Sequence, residues 1–261
     1  MCGIAGTIDA AERRAEARVS MLNRSQQHRG PDHSVLARIG SFTLANTRLA
    51  IQAPGQAGNQ PFVSADGRYQ CVFNGEIYNH RHLVELYQLP VRTARDGEVI
   101  PHMWAKLGPA SLTELRGMFA IALVDSLEGR LYLARDPFGI KPLYWRVLRD
   151  GPMVFASEVR PLTRVMAGLR ISNEAIARYL RFGAMAADQS PFDEIMAVPP
   201  NSVASFDVNG PVTTRPILPE GPLATAHPPN DLGSALAESI DLHLAADVPT
   251  ALLLSAGVDS A

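Results

Sequence analysis

Short strand candidates follow one another closely between residues 3 and 156 of this 261-residue chain, and few helices separate them. They are residues 3–9, Ser34–Ile39, Phe42–Ala45, Arg48–Ile51, Tyr69–Asn74, Met118–Asp125, Arg130–Arg135, Pro142–Val147 and Val154–Ala156. Several of them are paired across turn residues, as antiparallel strands are. The pattern therefore predicts an α+β fold in which helices cover antiparallel sheets.

Helix signals are fewer and lie mostly at the ends of the strand-rich region. The candidates are Glu12–Arg24, a helix from about Glu98 to Leu107 with Asp96 as its N-cap, Ser172–Phe182, and a helix that Asp231 caps and that runs to Ala246. The last one carries apolar residues on one face and precedes a strand candidate, Val248–Leu254. Residues 210–230 are rich in proline and glycine, which is typical of an interdomain linker.

Composition excludes several classes of partner. The formal net charge of −2 predicts no bulk attraction to nucleic acid or to an acidic membrane surface. The longest apolar runs are too short to span a membrane, and the N-terminus lacks the apolar core of a signal peptide, so we expect a cytoplasmic protein. Two cysteines, Cys2 and Cys71, give no disulfide framework, and the histidine spacing gives no metal site.

Cys2 is the strongest chemical signal, because it follows the initiator methionine. Removal of Met1, which a small second residue permits, leaves a thiol and a free α-amine on one residue. An α-amine with an ordinary pKa of roughly 7.7–8.0 is partly neutral at pH 7 and can accept the thiol proton. Cys2 would then be a nucleophile with its own base. Taken alone, the residue is equally consistent with a chance cysteine in a disordered terminus.

Ten short segments occur in a fixed order that is specific as a set. They are Met1–Ile4, His28–Asp32, Arg48–Ile51, Gln60–Pro61, Asn74–Asn79, Asp96, Gly117–Ala120, Ala134–Asp136, Gly139–Tyr144 and Ala156–Glu158. This set resembles the asparagine synthetase B family, in which a class II, N-terminal-nucleophile glutamine amidotransferase domain precedes an ATP-using synthetase domain. The resemblance implies a four-layer αββα sandwich of antiparallel sheets, followed by the beginning of an α/β ATP-pyrophosphatase domain.

The same resemblance implies three domain-level segments and a set of catalytic residues. The amidotransferase domain is expected at 2–209, the linker at 210–230 and an incomplete ATP-binding domain at 231–261. Cys2 would attack the side-chain amide of glutamine, release ammonia and leave a thioester that water cleaves. Asn74 and Gly75 match the oxyanion hole, as side-chain and backbone donors. An Asn-Gly pair between strands is otherwise typical of a hairpin turn.

The zwitterionic end of glutamine needs charged partners, and the resemblance supplies them. Arg48 would bind the carboxylate through its two-pronged guanidinium, while Glu76 and Asp96 would bind the ammonium. The complete substrate-binding set is Arg48, Leu49, Ala50, Ile51, Gln52, Asn74, Gly75, Glu76 and Asp96. Alternative roles are a surface salt bridge for Arg48 and a helix cap for Asp96. The chain departs from the family where Ala45–Asn46 replaces Gly-His, and where Arg95 and Gly97 flank Asp96 in place of small hydroxyl residues.

The C-terminal residues resemble a pyrophosphate-binding loop. The candidate ATP-binding residues are Leu254, Ser255, Ala256, Gly257, Val258, Asp259 and Ser260, with Ala256 in place of a glycine. Such a loop holds phosphate through backbone N–H groups at the start of a helix, and only Ala261 follows Ser260. We therefore expect these residues alone to form no complete synthetase domain.

The resulting hypothesis is a glutamine-hydrolysing asparagine synthase type of protein. ATP and Mg²⁺ are implied for the full family reaction, and the glutaminase step needs neither. Glutamine is the expected substrate, and aspartate or another carboxylate acceptor would react only with a complete synthetase domain. Two alternatives stay open: amidation of a different carboxylate in cell-surface or secondary metabolism, or a non-catalytic or ammonia-supplying fragment. A homodimer also stays open.

Overall fold

The computed structural model describes residues 2–51, 55, 58–93, 95–208, 213–219, 231–244, 246–252 and 254–257. The strands are β1 (Gly3–Ile8), β2 (His33–Ile39), β3 (Phe42–Arg48), β4 (Phe62–Val63), β5 (Tyr69–Ile77), β6 (Gly117–Asp125), β7 (Arg130–Arg135), β8 (Tyr144–Val147), β9 (Met153–Ala156), β10 (Met196–Ala197), β11 (Ser202–Asp207) and β12 (Thr213–Pro216). The α-helices are α1 (Glu12–Arg24), α2 (His80–Tyr87), α3 (Val99–Leu107), α4 (Val159–Arg164), α5 (Asn173–Phe182) and α6 (Leu232–His243).

Two six-stranded sheets contain all of these strands. The first has the order β10-β8-β9-β1-β3-β2, and the second has the order β12-β11-β7-β6-β5-β4. The pairings within both sheets are antiparallel. Strand β1 lies inside the first sheet, between β3 and β9. Cys2 immediately precedes β1 and therefore lies at the end of an inner strand.

The sheets face each other across an apolar layer, and helices cover the outer faces. Residues of both sheets share the central layer, among them Ile4, Leu44, Phe155, Val72, Ala122 and Leu133. A second cluster packs α2 and α3 on the outer face of the second sheet, and a third packs α1 and α4 on the first. These four layers confirm the predicted αββα sandwich.

Alternation along β5 decides which residues face the gap between the sheets. Successive side chains of a strand point to opposite faces. Val72 belongs to the central layer, whereas Cys71 and Phe73 belong to the cluster beneath the helices. Asn74 and Glu76 have the parity of Val72 and therefore point toward the first sheet. Two polar residues thus extend the apolar face of β5 at one end of the sandwich.

Several sequence-based expectations for single elements match the structure, and others need correction. Glu12–Arg24 and Arg130–Arg135 have the predicted bounds, and Ser172 caps α5 by accepting from the Ala175 N–H. The separate strand Arg48–Ile51 is wrong, because β3 runs through Arg48 and then leaves the sheet. The backbone turns there because the Ala50 N–H donates to Asp32 Oδ2 at 2.7 Å. Helix α2 was not expected from sequence; the side chain of Asn79, which precedes it, binds Glu114 and Arg116 and does not cap the helix.

The segment around α6 touches the sandwich but adds no strand. Asp231 caps α6 through the N–H groups of Gly233 and Ser234, as predicted. Residues 248–252 and 254 lie outside any helix or strand, so the predicted strand Val248–Leu254 is wrong over those residues. A strand requires a neighbour to accept its backbone hydrogen bonds, and none of the described strands lies alongside. None of the described helices has the length and apolar character that crossing a bilayer requires.

Contacts between described residues join this segment to the sandwich. Arg116 and Glu238 form an ion pair at 3.0 Å, and the rings of Tyr78 and His243 have centroids 4.4 Å apart. Beyond α6, the N–H of Asp247 donates to the carbonyl oxygen of Ile51 at 3.2 Å.

A buried carboxylate shapes the loop that follows β7. Asp136 is fully buried, and its two oxygens accept N–H bonds from Phe119, Phe138, Ile140 and Lys141 at 2.9–3.2 Å. The bonds from Phe119 and Lys141 are buried, and an N–H group buried without an acceptor costs about 1–3 kcal/mol. Arg135 also donates to the carbonyls of Gly139 and Lys141, so two buried side chains fix the conformation of the loop.

We expect Asp136→Ala to lower the free energy of unfolding by about 3 kcal/mol or more, because buried N–H groups lose their acceptor. Urea denaturation followed by circular dichroism measures the change. Asp188→Ala is the matched control, since Asp188 is exposed and surface changes usually stay within about 0.5 kcal/mol. Equal unfolding midpoints for the two variants would contradict this account of the loop.

Candidate active site

Cys2 lies just before β1 and is held there by backbone and side-chain contacts. Its Sγ is 3.8 Å from the carbonyl oxygen of Leu49, and its own carbonyl accepts a hydrogen bond from Arg29 Nε at 2.9 Å. The residue is half-buried, so its thiol is shielded but reachable. These contacts therefore hold the Cys2 thiol at the start of β1, an inner strand of the first sheet.

Arg29 is itself fixed, by Glu158. Arg29 Nη1 donates to Glu158 Oε1 at 2.7 Å, and His28 Nε2 lies 3.1 Å from the same oxygen. Burial acts to raise the pKa of Glu158, but the bonds from Arg29 and His28 outweigh burial and hold that pKa below its usual range. Next to Glu158, the Ser157 hydroxyl accepts the N–H of Ile4 at 2.9 Å. The segment around His28 thus anchors the start of β1.

The backbone of β5 presents one N–H group to the site. Gly75 pairs with Phe119 on β6, but beyond β4 the opposite edge of β5 has no neighbouring strand in the described chain. The N–H groups two residues to either side point to this open edge: Phe73 donates to Gln60 Oε1 at 2.7 Å and Ile77 donates to Asp96 Oδ2 at 2.9 Å. Because N–H direction alternates along a strand, the Gly75 N–H points the same way.

The side chain of Asn74 provides a second donor. Asn74 is 1% exposed, and its Nδ2 has no hydrogen-bond partner among the described residues. Buried amide groups are normally satisfied, so this one is positioned for a group that comes from outside the protein. Asn74 and Gly75 lie inside β5, which rules out the alternative of a hairpin turn at this Asn-Gly pair.

The close approach of β5 and β6 requires glycine at position 75. A methyl group on this residue would lie 2.0 Å from the carbonyl oxygen of Met118 and 2.8 Å from the Phe73 ring. No side chain fits at such distances, so β5 and β6 approach closely only because position 75 is glycine.

One pocket contains most of the predicted site. It is lined by Cys2, Leu49, Ile51, Gln60, Phe62, Phe73, Asn74, Gly75, Glu76, Arg95, Asp96 and Lys141. Seven of these residues belong to the set predicted from sequence, and they come from β5, the segment after β3, the turn before α3 and the N-terminus. The structure thus brings a thiol, two hydrogen-bond donors and two carboxylates together around one space.

The two carboxylates sit in a low-polarity setting that opposes their charge. Burial raises the pKa of Asp96, although the N–H groups of Ile77 and Gly97 act in the other direction. Burial and the nearby charge of Asp96 raise the pKa of Glu76, and Lys141 partly offsets this. Asp96 accepts from β5 instead of capping α3, so the alternative of a plain helix cap is wrong.

Lys141 and Gln60 are pocket residues that sequence analysis did not assign. Burial lowers the pKa of Lys141, with the charge of Glu76 opposing the shift. Gln60 binds both the N–H and the carbonyl of Phe73, at 2.7 and 2.8 Å, and so fixes the loop before β4 against β5. Both residues belong to the ordered family segments given above. A polar residue in such a segment, with no role assigned to it, is the sequence signal that could have indicated a pocket residue.

Arg48 is the last residue of β3, and Ala50 lies two residues beyond it. Arg48 is buried, and its Nη1 donates to the Gly55 carbonyl at 2.7 Å and to Asn59 Oδ1 at 2.9 Å. Because Arg48 is buried, the alternative of a surface salt bridge at this residue is wrong. Neither Arg48 nor Ala50 is among the lining residues given above. Gln52 lies outside the described residues.

The candidate ATP-binding residues are not brought to any pocket in the described part of the chain. Leu254, Ser255, Ala256 and Gly257 are exposed, and the Gly257 N–H is 3.3 Å from Ser255 Oγ. Val258, Asp259 and Ser260 lie outside the described residues. The assignment of this segment to ATP stays a prediction.

Comparisons with known proteins show which sequences resemble this chain. The asparagine synthetase [glutamine-hydrolyzing] 1 of Bacillus subtilis is 30% identical over 271 residues and covers 100% of this chain. Asparagine synthetase [glutamine-hydrolyzing] 2 of Arabidopsis thaliana is 34% identical, and asparagine synthetase B [glutamine-hydrolyzing] of Escherichia coli is 33% identical, again over 100% of the chain. The chain spans only 41–43% of the length of these relatives.

Solved structures support the fold. The glutamine phosphoribosylpyrophosphate amidotransferase of B. subtilis matches 83% of this chain and 49% of its own with a TM-score of 0.62 and 20% identity. At that identity the likeness concerns the fold alone. The family described as "Glutamine amidotransferase domain" matches residues 1–215. The chain therefore belongs to the glutamine amidotransferase domain family.

Proposed function

We propose that this chain hydrolyses glutamine to glutamate and ammonia through a thioester on Cys2. The observation that carries the proposal is the buried Asn74 Nδ2, which has no partner among the described residues and belongs to the pocket that also contains Cys2. An enzyme of acyl transfer needs a nucleophile, a base and donors for the developing oxyanion. Cys2 with its freed α-amine supplies the first two, and Asn74 and Gly75 supply the donors.

The proposed reaction moves one proton through the α-amine of Cys2. The amine accepts the thiol proton, and the thiolate attacks the amide carbon of the glutamine side chain. The amide oxygen becomes an oxyanion that accepts hydrogen bonds from Asn74 Nδ2 and the Gly75 N–H. The protonated amine then donates to the leaving nitrogen, and ammonia departs. Water cleaves the thioester with the amine again as base, which releases glutamate and restores the thiol.

Charged groups would orient the substrate. Glu76 and Asp96 line the pocket and would accept hydrogen bonds from the ammonium of glutamine, and the buried Arg48 would bind its carboxylate. Such positioning groups contribute to catalysis by holding the amide next to the thiol. This assignment rests on the resemblance of these positions to the family and on their grouping around one pocket.

For the whole protein, we propose that the ammonia serves ATP-dependent amidation of aspartate. The names of the three relatives all specify asparagine, which favours aspartate over another carboxylate acceptor. ATP and Mg²⁺ belong to this second reaction, since the thioester route uses only Cys2, its neighbours and water. A cytoplasmic location and a homodimer stay predictions from sequence.

The domain boundaries are part of the same proposal. We assign 2–209 to the amidotransferase domain, 210–230 to a linker and 231–261 to the start of an ATP-binding domain. Two observations support a somewhat later end for the first domain: the family match reaches residue 215, and β12 (Thr213–Pro216) is hydrogen bonded to β11.

The first test is the nucleophile. We expect Cys2→Ala to abolish glutamate release from glutamine, because the thiol forms the covalent intermediate. Cys71→Ala, which removes a thiol that is fully buried elsewhere, should keep most of the activity. Glutamate is measured with a coupled dehydrogenase, and mass spectrometry verifies removal of Met1. Folded protein with a free Cys2 amine and no glutamate release would refute the proposal.

The second test is the oxyanion hole. We expect Asn74→Ala to lower kcat by about 100–1,000-fold with a nearly unchanged KM, since the lost donor acts mainly in the transition state. Asn79→Ala is the control, because the Asn79 side chain binds the loop at Glu114 and Arg116 outside the pocket. Steady-state kinetics measure both variants. A fall in kcat/KM that comes only from KM would assign Asn74 to ground-state binding instead.

The third test uses pH. Glu76 and Asp96 hold the ammonium only when ionised, and burial raises the pKa of both. As the pH falls through these raised values, the carboxylates take up protons and lose their charge. The KM for glutamine should therefore begin to rise at a pH well above the ordinary pKa range of carboxyl groups, about 3.9–4.3. Asp96→Asn should have a high KM that changes less with pH. An Asp188→Asn control should follow the wild-type profile. A wild-type KM that stays flat to pH 4.5 would contradict this role.

A further inference from the structure

Lys141 brings a buried positive charge into the pocket that contains Cys2. Only two of the 24 lysine and arginine residues are lysines, the exposed Lys106 and the buried Lys141. Lys141 is 7% exposed and lines the pocket. Its ammonium forms no hydrogen bond and no ion pair with any described residue. A lysine buried to this degree is normally paired, so the position of this charge needs a reason.

The backbone of Lys141 is held on both sides. Its N–H donates to Asp136 Oδ2 at 3.0 Å, and its carbonyl accepts from Arg135 Nε at 2.8 Å. Asp136 Oδ2 also accepts the N–H of Phe119, the residue of β6 that pairs with Gly75 of β5. One carboxylate oxygen therefore ties the loop that carries Lys141 to the strands that carry the proposed oxyanion hole.

The pocket contains a conflict between charges. Glu76 and Asp96 would bind the ammonium of glutamine, yet both carboxylates line the same pocket as Cys2. A thiolate is an anion, and like charges that lie close together in a buried site repel each other. The same repulsion acts on the oxyanion that forms next. The groups that would hold the substrate therefore oppose the chemistry, unless a positive charge offsets them.

Other cations close to Cys2 have contacts of their own. Arg29 forms an ion pair and binds the Cys2 carbonyl, and Arg48 donates to the loop that follows β3. Arg95 lines the pocket but has a further interaction as well. Within the part of the chain that the structure describes, Lys141 is the pocket cation whose charge is not taken up by a contact.

Lys141 is coupled by charge both to a carboxylate and to Cys2. Burial has the largest effect on the pKa of Lys141 and lowers it, and the charge of Arg29 acts in the same direction. The charges of Glu76 on β5, of Asp136 after β7 and of Cys2 oppose this shift. Burial raises the pKa of Glu76, and the charge of Lys141 opposes that shift in turn.

We propose that the Lys141 ammonium is the counter-charge that allows a Cys2 thiolate to exist in a pocket that also holds two carboxylates. The inference rests on the proposed function, because it takes this thiolate as the nucleophile. Lys141 acts through Cys2 as a positioning residue: it offsets Glu76 and Asp96, so the substrate ammonium can be bound without suppressing the nucleophile. The thiol proton still moves to the α-amine, and Lys141 keeps its own protons.

Alkylation of Cys2 tests the proposal without glutamine. The rate of modification by iodoacetamide is followed against pH by mass spectrometry, in a Cys71→Ala parent whose only thiol is Cys2. We expect Lys141→Met to react roughly tenfold more slowly at pH 7, with its rate curve moved to higher pH, because a cation beside a cysteine favours the thiolate. Lys141→Arg keeps the charge and should react within about threefold of the parent rate.

A second substitution identifies the source of the effect. Glu76→Gln, added to Lys141→Met, removes one of the repelling carboxylates and should restore most of the lost rate, since the two charge changes cancel. Lys106→Met removes the exposed lysine and should leave the rate unchanged. Equal rates for Lys141→Met and the parent, or a failure of Glu76→Gln to restore the rate, would overturn the proposal.

Thermal unfolding separates this role from a structural one. A buried charge without a partner lowers stability, so Lys141→Met should unfold at the same temperature as the parent or at a higher one. A lower unfolding temperature with an unchanged alkylation rate would show that Lys141 only supports the fold. If alkylation depends on Lys141 as expected but the wild type releases no glutamate from glutamine, the proposed function fails while this inference stands.

Discussion

The open edge of β5 is the constraint from which the site follows. Strand β5 is nine residues long, but β4 covers only its beginning, through pairs at Cys71 and Gln70. The uncovered N–H groups must find partners, and the chain supplies Gln60 at Phe73 and Asp96 at Ile77. Between these two bonds the Gly75 N–H points to the same open edge. A short neighbouring strand thus leaves free the edge at which we propose half of an oxyanion hole.

The other half depends on the packing of the two sheets. Side chains of β5 with the parity of Val72 face the first sheet, whose inner strand β1 begins directly after Cys2. Where the apolar layer stops, Asn74 takes the next place, and its Nδ2 has no partner in the described chain. The proposed nucleophile and the proposed side-chain donor therefore come from different sheets, and both line one pocket.

The resemblance to a known family predicted the four layers and the grouping of Cys2, Asn74, Gly75 and Asp96, whereas alternation and turn residues predicted the strands. Sequence reasoning could not predict that Arg95 lines the pocket or that Arg48 is buried. Their positions depend on the backbone of the loop after β3, where both guanidiniums approach Gly58 and Arg48 donates to the Gly55 carbonyl, and no periodicity encodes such contacts. The strand expected at Val248–Leu254 failed for a related reason, since its apolar pattern says nothing about a partner.

The hydrogen bond from Asp247 to Ile51 ties the pocket wall to a residue outside the part of the chain that matches the amidotransferase family. Ile51 lines the pocket, yet its carbonyl is bonded to a residue that lies beyond α6 and beyond residue 215. The rim of the pocket is consequently held by two parts of the chain. Any rearrangement of the segment after α6 must either move Ile51 with it or break this bond, so a change in that segment would alter the shape of the pocket.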